Sequence, residues 1–484
     1  MRAAILVAIG GIVLAGPGAL AAQEPVIKRP AQDTTGTDTL PPRPDSVSST
    51  QRLLKAEQGE RVRLRPLPHA GTATVLPPGG RIVLTRDSID WAVAGDLGEL
   101  LARVPGVYLE RGGWLTAPDQ PNYLGLGAGS VEYYLDGVPW RPIGVDSVAA
   151  DPSIMPLGFL DRVEIEPTPG MLRVFLFTRA HDRESPRTKI GAAQGDRGTS
   201  RYFGSFERRY VNGLGLGLAA DYLSLNRNGA GFGGGNIASG WAQFGYVPSP
   251  HFGVQAQLVT ERVSRNLLMD DAATDTLARQ VDGTRTDEQL RASWHGRSDG
   301  LGSSLDLIAA HSSWASDSAP GKVGIGTLGG IFAVRHPTWS SQVSLWHDTQ
   351  WMPLDARFEA GIAPMGWFSS TVETAMQSYG AGRRAVWGQV RIGLRGPAGL
   401  SAGAAIGGGQ RLLTPAIAAA KPQRFTDAEV NAAFTSRLLT IDAAYRWNDA
   451  WRPVAFPEFM AIDSYAPLPD IHWVTGHARL SPLN

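Results

Sequence analysis

Few side chains in this 484-residue sequence are spaced for chemistry. Gly399-Leu400-Ser401-Ala402-Gly403 has the spacing of a nucleophile elbow, the turn that lifts a serine from a strand into a helix. Here Gly396-Pro397-Ala398 precedes it and a Gly-rich, strand-like run, 404–409, follows, so both flanks are wrong for that turn. The nine histidines are scattered, none in a His-Glu-x-x-His pair, and His295, His311 and His347 fall on strand-like segments without neighbouring ligands. Asp270, Asp271 and Asp275 lack the spacing and the obligatory glycine of a calcium loop. Gly125-Leu126-Gly127-Ala128-Gly129 does not lead from a strand into a long helix, as a dinucleotide turn must. The absence of cysteine removes a thiol nucleophile, a Cys-ligated metal site and a disulfide framework. The expectation is a protein that is not an enzyme, with no catalytic, cofactor or metal site.

The elements around these residues say more. Forty-five basic and 45 acidic residues balance, which leaves no basic footprint for nucleic acid. Residues 1–22 combine Arg2, an apolar stretch over 3–14, a Gly-Pro-Gly break and Ala19-Leu20-Ala21, the form of a secretory signal peptide cleaved after Ala21 or Ala22. The competing reading, an uncleaved anchor, needs about 20 apolar residues and stop-transfer charges. No other segment has that length of unbroken apolar sequence, so helical spans are excluded. Residues 23–80 are Pro-rich and poor in large apolar side chains, and read as a disordered periplasmic linker.

Composition changes at Arg81. Ile82-Val83-Leu84 reads as a strand ended by residues 85–88. Asp96 then caps a helix whose Leu97, Leu100, Leu101 and Val104 share one face, with Glu99 placed for a capping box and Pro105-Gly106 as its stop. Val107-Tyr108-Leu109 resumes as strand. Residues 131–135 are β-rich and close on Asp136-Gly137, a hairpin turn pair. Leu160-Asp161-Arg162-Val163-Glu164-Ile165 and 174–178 are further strands. A compact α+β module over 81–182 follows.

The succession Leu100-Leu101-x-x-Val104-Pro105-Gly106-Val107, Tyr134-Leu135-Asp136-Gly137-Val138-Pro139, Leu160-Asp161-Arg162-Val163-Glu164-Ile165 and an apolar strand ending in Thr178-Arg179 resembles the plug domain of TonB-dependent outer-membrane receptors. The resemblance implies a plug seated in a C-terminal transmembrane β-barrel. It also implies structural roles for Pro105, Gly106, Val107, Asp136 and Gly137, and pairing of Arg162 and Glu164 with charges on the barrel wall. The sequence departs from the family where a Gly-rich tract usually precedes the last strand: only residues 166–171 intervene, an abbreviated plug. No upstream segment reads as a TonB box.

Residues 183–484 alternate with period 2. Phe252, Val254, Ala256 and Leu258 oppose Gln255, Gln257 and Glu261; Leu290, Ala292 and Trp294 oppose Arg291, Ser293 and His295; Val386, Val390, Ile392 and Leu394 oppose Gln389, Arg391 and Arg395. Such segments, with Tyr202, Tyr210, Phe244, Tyr246 and Trp294 near their ends, predict an antiparallel transmembrane barrel. An extracellular sandwich is the alternative. Short connections at 211–213, 248–250, 298–300 and 396–398 alternate with a long polar one over 264–287. The count is about 14 strands, with 15 or 16 if 365–385 and 450–475 contribute. The 302 residues are too few for the 22 strands of a full-size receptor.

Three functional readings emerge. The first is an outer-membrane receptor that binds or imports an unidentified small ligand, with outer-membrane lipid and TonB or an equivalent energising protein as partners. The second is a non-transporting barrel with a structural or interaction role. The third is a barrel-embedded hydrolase using Ser401.

Overall fold

The computed structural model describes residues 64–68, 81–111, 119–126, 128–143, 150–168, 170–195, 198–225, 234–269, 277–316, 321–412, 421–449 and 470–480. The expected signal peptide, most of the 23–80 linker, Gly127, Asp270, Asp271 and Asp275 lie outside them.

An N-terminal module comprises β1 (Ile82–Thr85), α1 (Arg86–Trp91), α2 (Leu97–Leu101), β2 (Val107–Arg111), β3 (Asp119–Tyr123), β4 (Val131–Leu135), β5 (Val138–Pro139), β6 (Leu160–Thr168) and β7 (Met171–Thr178). Its main sheet has the order β1-β6-β7-β4-β5, antiparallel except for the parallel pair β4 and β7. Every residue of β7 is buried, which is why its sequence runs apolar without alternation. Leu97, Leu100, Leu101, Val163, Ile165 and Leu176 fill one core with the two short helices.

The local signals act as their chemistry requires. Asp96 accepts from Glu99 N at 2.8 Å, and the Glu99 carboxylate turns back to accept from Gly95 N. The helix closes at Leu101, earlier than the 97–104 periodicity suggests, because Val104 N turns onto Leu101 O at 2.9 Å. Gly106 then takes φ +82°, and a Cβ there would sit 2.8 Å from Leu124 Cδ2. Asp136 and Gly137, at φ +46° and +89°, make the two-residue turn between β4 and β5. One element differs from expectation: residues 86–91 are helical, since Thr85, read as a strand terminator, is also the N-cap of α1.

Among the described residues, the remainder is one antiparallel sheet of sixteen strands, each paired with its neighbour in sequence. These are β8 (Arg187–Gln194), β9 (Thr199–Arg209), β10 (Leu214–Leu225), β11 (Gly235–Ser249), β12 (Phe252–Met269), β13 (Leu277–His295), β14 (Gly302–Ser316) and β15 (Lys322–His336). They continue as β16 (Trp339–Asp348), β17 (Leu354–Met365), β18 (Phe368–Ser378), β19 (Arg384–Arg395), β20 (Leu400–Arg411), β21 (Gln423–Thr435), β22 (Leu439–Asn448) and β23 (Ile471–Leu480). Sixteen described strands exceed the count of about 14 and meet its upper figure of 16: β18 lies within 365–385, and β23 begins inside 450–475, of which 450–469 lie outside the described residues. Turns as tight as 337–338 and 366–367 explain the shortfall. The long polar connection expected over 264–287 is also corrected: β12 runs on to Met269 and β13 starts at Leu277. Arg285 and Asp287 there are buried strand residues, polar because they face inward.

This wall is inside out relative to a soluble protein. Leu290, Leu307 and Val386 are 58%, 56% and 55% exposed, whereas Glu261 and Asp355 are fully buried. A sandwich would bury the apolar face, so the outward apolar face identifies a lipid-facing barrel. Phe252, Trp294, Trp339 and Trp367 are exposed around the end with the short connections, as an interfacial girdle. β8 and β23 are the sheet's edges, and among the described residues neither pairs with a further strand. Inside lipid such edges have to be paired.

Candidate functional site

The polar residues of module and wall meet each other. Trp140 Nε1 donates to Asp287 at 3.0 Å, and the Arg285 guanidinium stacks 4.2 Å over the Trp140 ring while pairing with Asp287 at 2.7 Å. Arg141 Nε donates to Asp348 at 2.9 Å and lies 3.6 Å from Asp355. Arg357 bridges Asp355 at 3.0 Å and Glu132 at 3.1 Å. Arg173 on β7 pairs with Glu373 at 2.7 Å and with Glu166 at 3.3 Å. Arg265 reaches Asp151 at 2.7 Å and Ser153 at 2.8 Å. Arg179 pairs with Glu207, and Arg446 donates to Tyr123 Oη and, at 2.9 Å, to Thr168 O. The contacts span strands from β9 to β22, so the wall holds the module from many sides.

Burial and charge set the ionisation of the module's side of this interface. Burial alone would raise the Glu132 carboxyl. The surrounding guanidinium groups of Arg357, Arg411 and Arg141 override it and hold the group at about 2. Glu166 is likewise drawn down against burial by Arg81 and Arg173. Tyr123 is pushed up to about 12 by burial, so its hydroxyl stays protonated. Buried pairs of this kind add little net stability over apolar packing, but removing one partner strands a buried charge. They fix where the module sits.

Space remains between the parts. A cavity of about 40 Å³ lies between Tyr134, Arg173 and Phe175 of the module and Trp346, Arg357, Glu359 and Glu373 of the wall. Arg173 Nε, Arg357 Nη1 and Glu373 Oε1 are buried there without a hydrogen-bond partner among the described residues. That volume holds a few waters, which such groups require. Among the described residues no three His, Asp or Glu side chains gather as a metal site. Ser401 stands at the start of β20, after a Pro397–Gly399 turn and before more strand, so the strand-to-helix elbow geometry is absent.

Comparison with family models matches residues 77–172 to the TonB-dependent Receptor Plug Domain. Residues 77–172 are a TonB-dependent receptor plug domain. The whole fold is similar to solved plugged barrels. The FrpB iron transporter of Neisseria meningitidis matches with TM-score 0.60 at 10% identity, over 76% of this chain and 73% of that one. The ferric enterobactin receptor PfeA of Pseudomonas aeruginosa matches with TM-score 0.59 at 12% identity, over 78% and 73% of the chains. The copper transporter OprC matches with TM-score 0.59 at 14% identity, over 80% and 73%. At these identities the likeness is one of fold. A search of curated proteins finds no match.

Within the plug, the motif residues fall into two groups. Pro105, Gly106 and Val107 turn the chain from α2 into β2, with Leu124 N donating to Gly106 O at 2.8 Å. Asp136 is buried and accepts from Thr178 N at 3.0 Å and Thr178 Oγ1 at 2.6 Å, which ties the Asp136-Gly137 turn to the end of β7. Arg162 and Glu164 pair with each other at 2.9 Å, Glu164 also with Arg81 at 2.9 Å, and Arg162 lies over the Phe177 ring. These partners are plug residues, not the barrel charges that the resemblance implied. The barrel contacts fall instead to Glu132, Trp140, Arg141, Asp151, Arg173 and Arg179, which sequence reasoning missed. Arg173 carried a signal: a lone cation inside Met-Leu-Arg-Val-Phe-Leu-Phe must find a counter-charge once buried.

Proposed function

We propose that this chain is an exported outer-membrane receptor that binds a small ligand at the external loops and passes it along the plug into the periplasm, without enzymatic chemistry. The chain then divides into a signal peptide (1–22), a periplasmic linker (23–80), the plug (81–182) and the barrel (183–484). TonB or an equivalent protein supplies the energy, and outer-membrane lipid covers the apolar face. The observation that carries this reading is a lumen occupied by a plug held through polar contacts. Such contacts can exchange for water, as gating requires. Iron, ferric enterobactin and copper are named for the similar structures, so a metal ion or metal chelate is the ligand class to test first.

The test is uptake of a panel of labelled ferric siderophores and copper by cells with and without this chain, and with and without the energising partner. Chain-dependent uptake that stops when the partner is deleted supports the proposal. Recovery of the chain from the soluble periplasm would overturn it. Outer-membrane recovery with no chain-dependent uptake would favour the non-transporting reading, which the tight Thr168-to-Met171 connection between β6 and β7 already supports.

A further inference from the structure

Glu261, in the middle of β12, faces inward between Val259 and Val263 and is wholly buried. Neither of its carboxylate oxygens has a hydrogen-bond partner among the described residues. Strand register sets two side chains directly opposite it on the same face, Ser239 of β11 and Arg285 of β13. Ser239 Oγ makes no hydrogen bond to it. Asp287 and, from the plug, Asp151 add repulsion. A buried carboxylate left in this way is costly, and any state that brings it a cation is favoured accordingly.

Arg285 is placed to be that cation. Directly opposed residues stand about 5 Å apart at Cβ, within reach of both side chains. Yet Arg285 turns the other way. Its Nε and Nη2 donate to Asp287 at 2.7 and 3.0 Å, and its guanidinium lies 4.2 Å from the centre of the Trp140 ring. Asp287 also accepts from Trp140 Nε1 at 3.0 Å and from Ser312 Oγ at 2.5 Å. One carboxylate of the wall is crowded with donors while its neighbour has none. The plug makes the difference, because Trp140 covers one face of the guanidinium and lends Asp287 a donor. A space of about 20 Å³ bounded by Val138, Trp140, Asp287 and Ser312 has room for a water, which can take the indole's place on Asp287.

We propose that Glu261 is a positioning residue for the plug that acts through Arg285: the guanidinium stays on Asp287 while Trp140 is docked and crosses to Glu261 when Trp140 withdraws. The wall then has one arrangement for each position of this part of the plug. With Trp140 docked, the lone carboxylate is Glu261. With Trp140 withdrawn it is Asp287, which keeps Ser312 and gains water. The unpaired Glu261 therefore burdens the docked state alone and offsets part of the contacts that withdrawal breaks. This inference rests on the reading of the plug as a part that moves within a membrane-inserted barrel, and deepens it by naming a residue that sets the balance.

The experiment uses the full chain in liposomes with Val138→Cys as its single thiol, since the sequence has no cysteine. Val138 packs on Ile308, Ile331 and Trp346 of the wall, so a water-soluble methanethiosulfonate reaches that thiol when this part of the plug withdraws. Glu261→Gln keeps the size and removes the charge. It should slow labelling about tenfold, the shift that losing one charge-assisted interaction gives a two-state equilibrium. Glu261→Met, an apolar replacement of similar length, should do the same. In an Arg285→Gln background neither change should alter the rate, because no guanidinium is left to exchange. Asp287→Asn removes the docked-state partner and should speed labelling instead. An unchanged rate for both Glu261 variants overturns the exchange, as does a slowing that persists with Arg285→Gln, which would trace the effect to hydration of the carboxylate. Loss of heat-modifiable mobility in both Glu261 variants also overturns it, by making the residue a requirement of the fold. If the Val138→Cys chain with Glu261 in place does not insert as a heat-modifiable barrel, the membrane reading itself fails, which is a different result.

Discussion

Plug and barrel obey the same rule of burial toward two different solvents. The plug buries Leu97, Leu100, Val163, Leu172 and Phe177 and turns Glu132, Arg141 and Arg173 outward. The barrel does the reverse, with Leu290, Leu307 and Val386 exposed and Glu261, Arg285 and Asp355 hidden. Each is conventional once its surroundings are known: the plug's outside is the barrel's polar inside, and the barrel's outside is hydrocarbon. Both parts therefore place their charges at the same boundary. Apolar contacts share that boundary: Val138 of the plug packs with Ile308, Ile331 and Trp346 of the barrel.

Breaking one charge at the boundary should have the largest effect. Arg357→Met leaves Asp355 and Glu132 buried without their shared cation, and should loosen the plug by about 3–5 kcal/mol, read as faster proteolysis of residues 81–182 in a barrel that keeps its heat-modifiable mobility. Unchanged proteolysis would mean that the interface is not held by these pairs. Leu307→Arg probes the opposite face and should cost about 2–4 kcal/mol in lipid vesicles, measured by urea unfolding. A cost near zero would mean that this face sees water.

The pH dependence sharpens the contrast further. Glu132 falls from 4.5 when unfolded to about 2 in place, so its contribution is complete above pH 4.5 and disappears as pH drops through 2. The stability gap between wild type and Glu132→Gln should shrink over that window; a gap independent of pH would refute the assignment. The smallest effect lies inside the plug, where Asp96→Ala removes the cap of α2 for about 1 kcal/mol. Hydrogen exchange should record it at residues 97–101 and leave the barrel strands untouched.

What could be read in advance was local. Asp96 with Glu99 and the Asp136-Gly137 turn each depend on residues a few positions apart, and both act as read. Alternation of Leu290 with Arg291 likewise defined two faces of β13. The Arg86–Trp91 helix was missed because Thr-Arg-Asp-Ser ends a strand as readily as it starts a helix. The run 404–409 read as strand-like is the middle of β20, whose start at Leu400 the Leu-Ser-Ala-Gly-Ala-Ala sequence hardly marks.

The sequence by itself determined an α+β plug followed by strands with one apolar and one polar face. Only the tertiary structure decided which charges meet. Arg141 finds Asp348, 207 positions away, through the register of sixteen strands and the seating of the plug, and Arg162 finds Glu164 on its own strand instead of the barrel. A side chain's face follows from the geometry of its own strand. Its partner follows from closing long loops, and that information is spread over the whole chain.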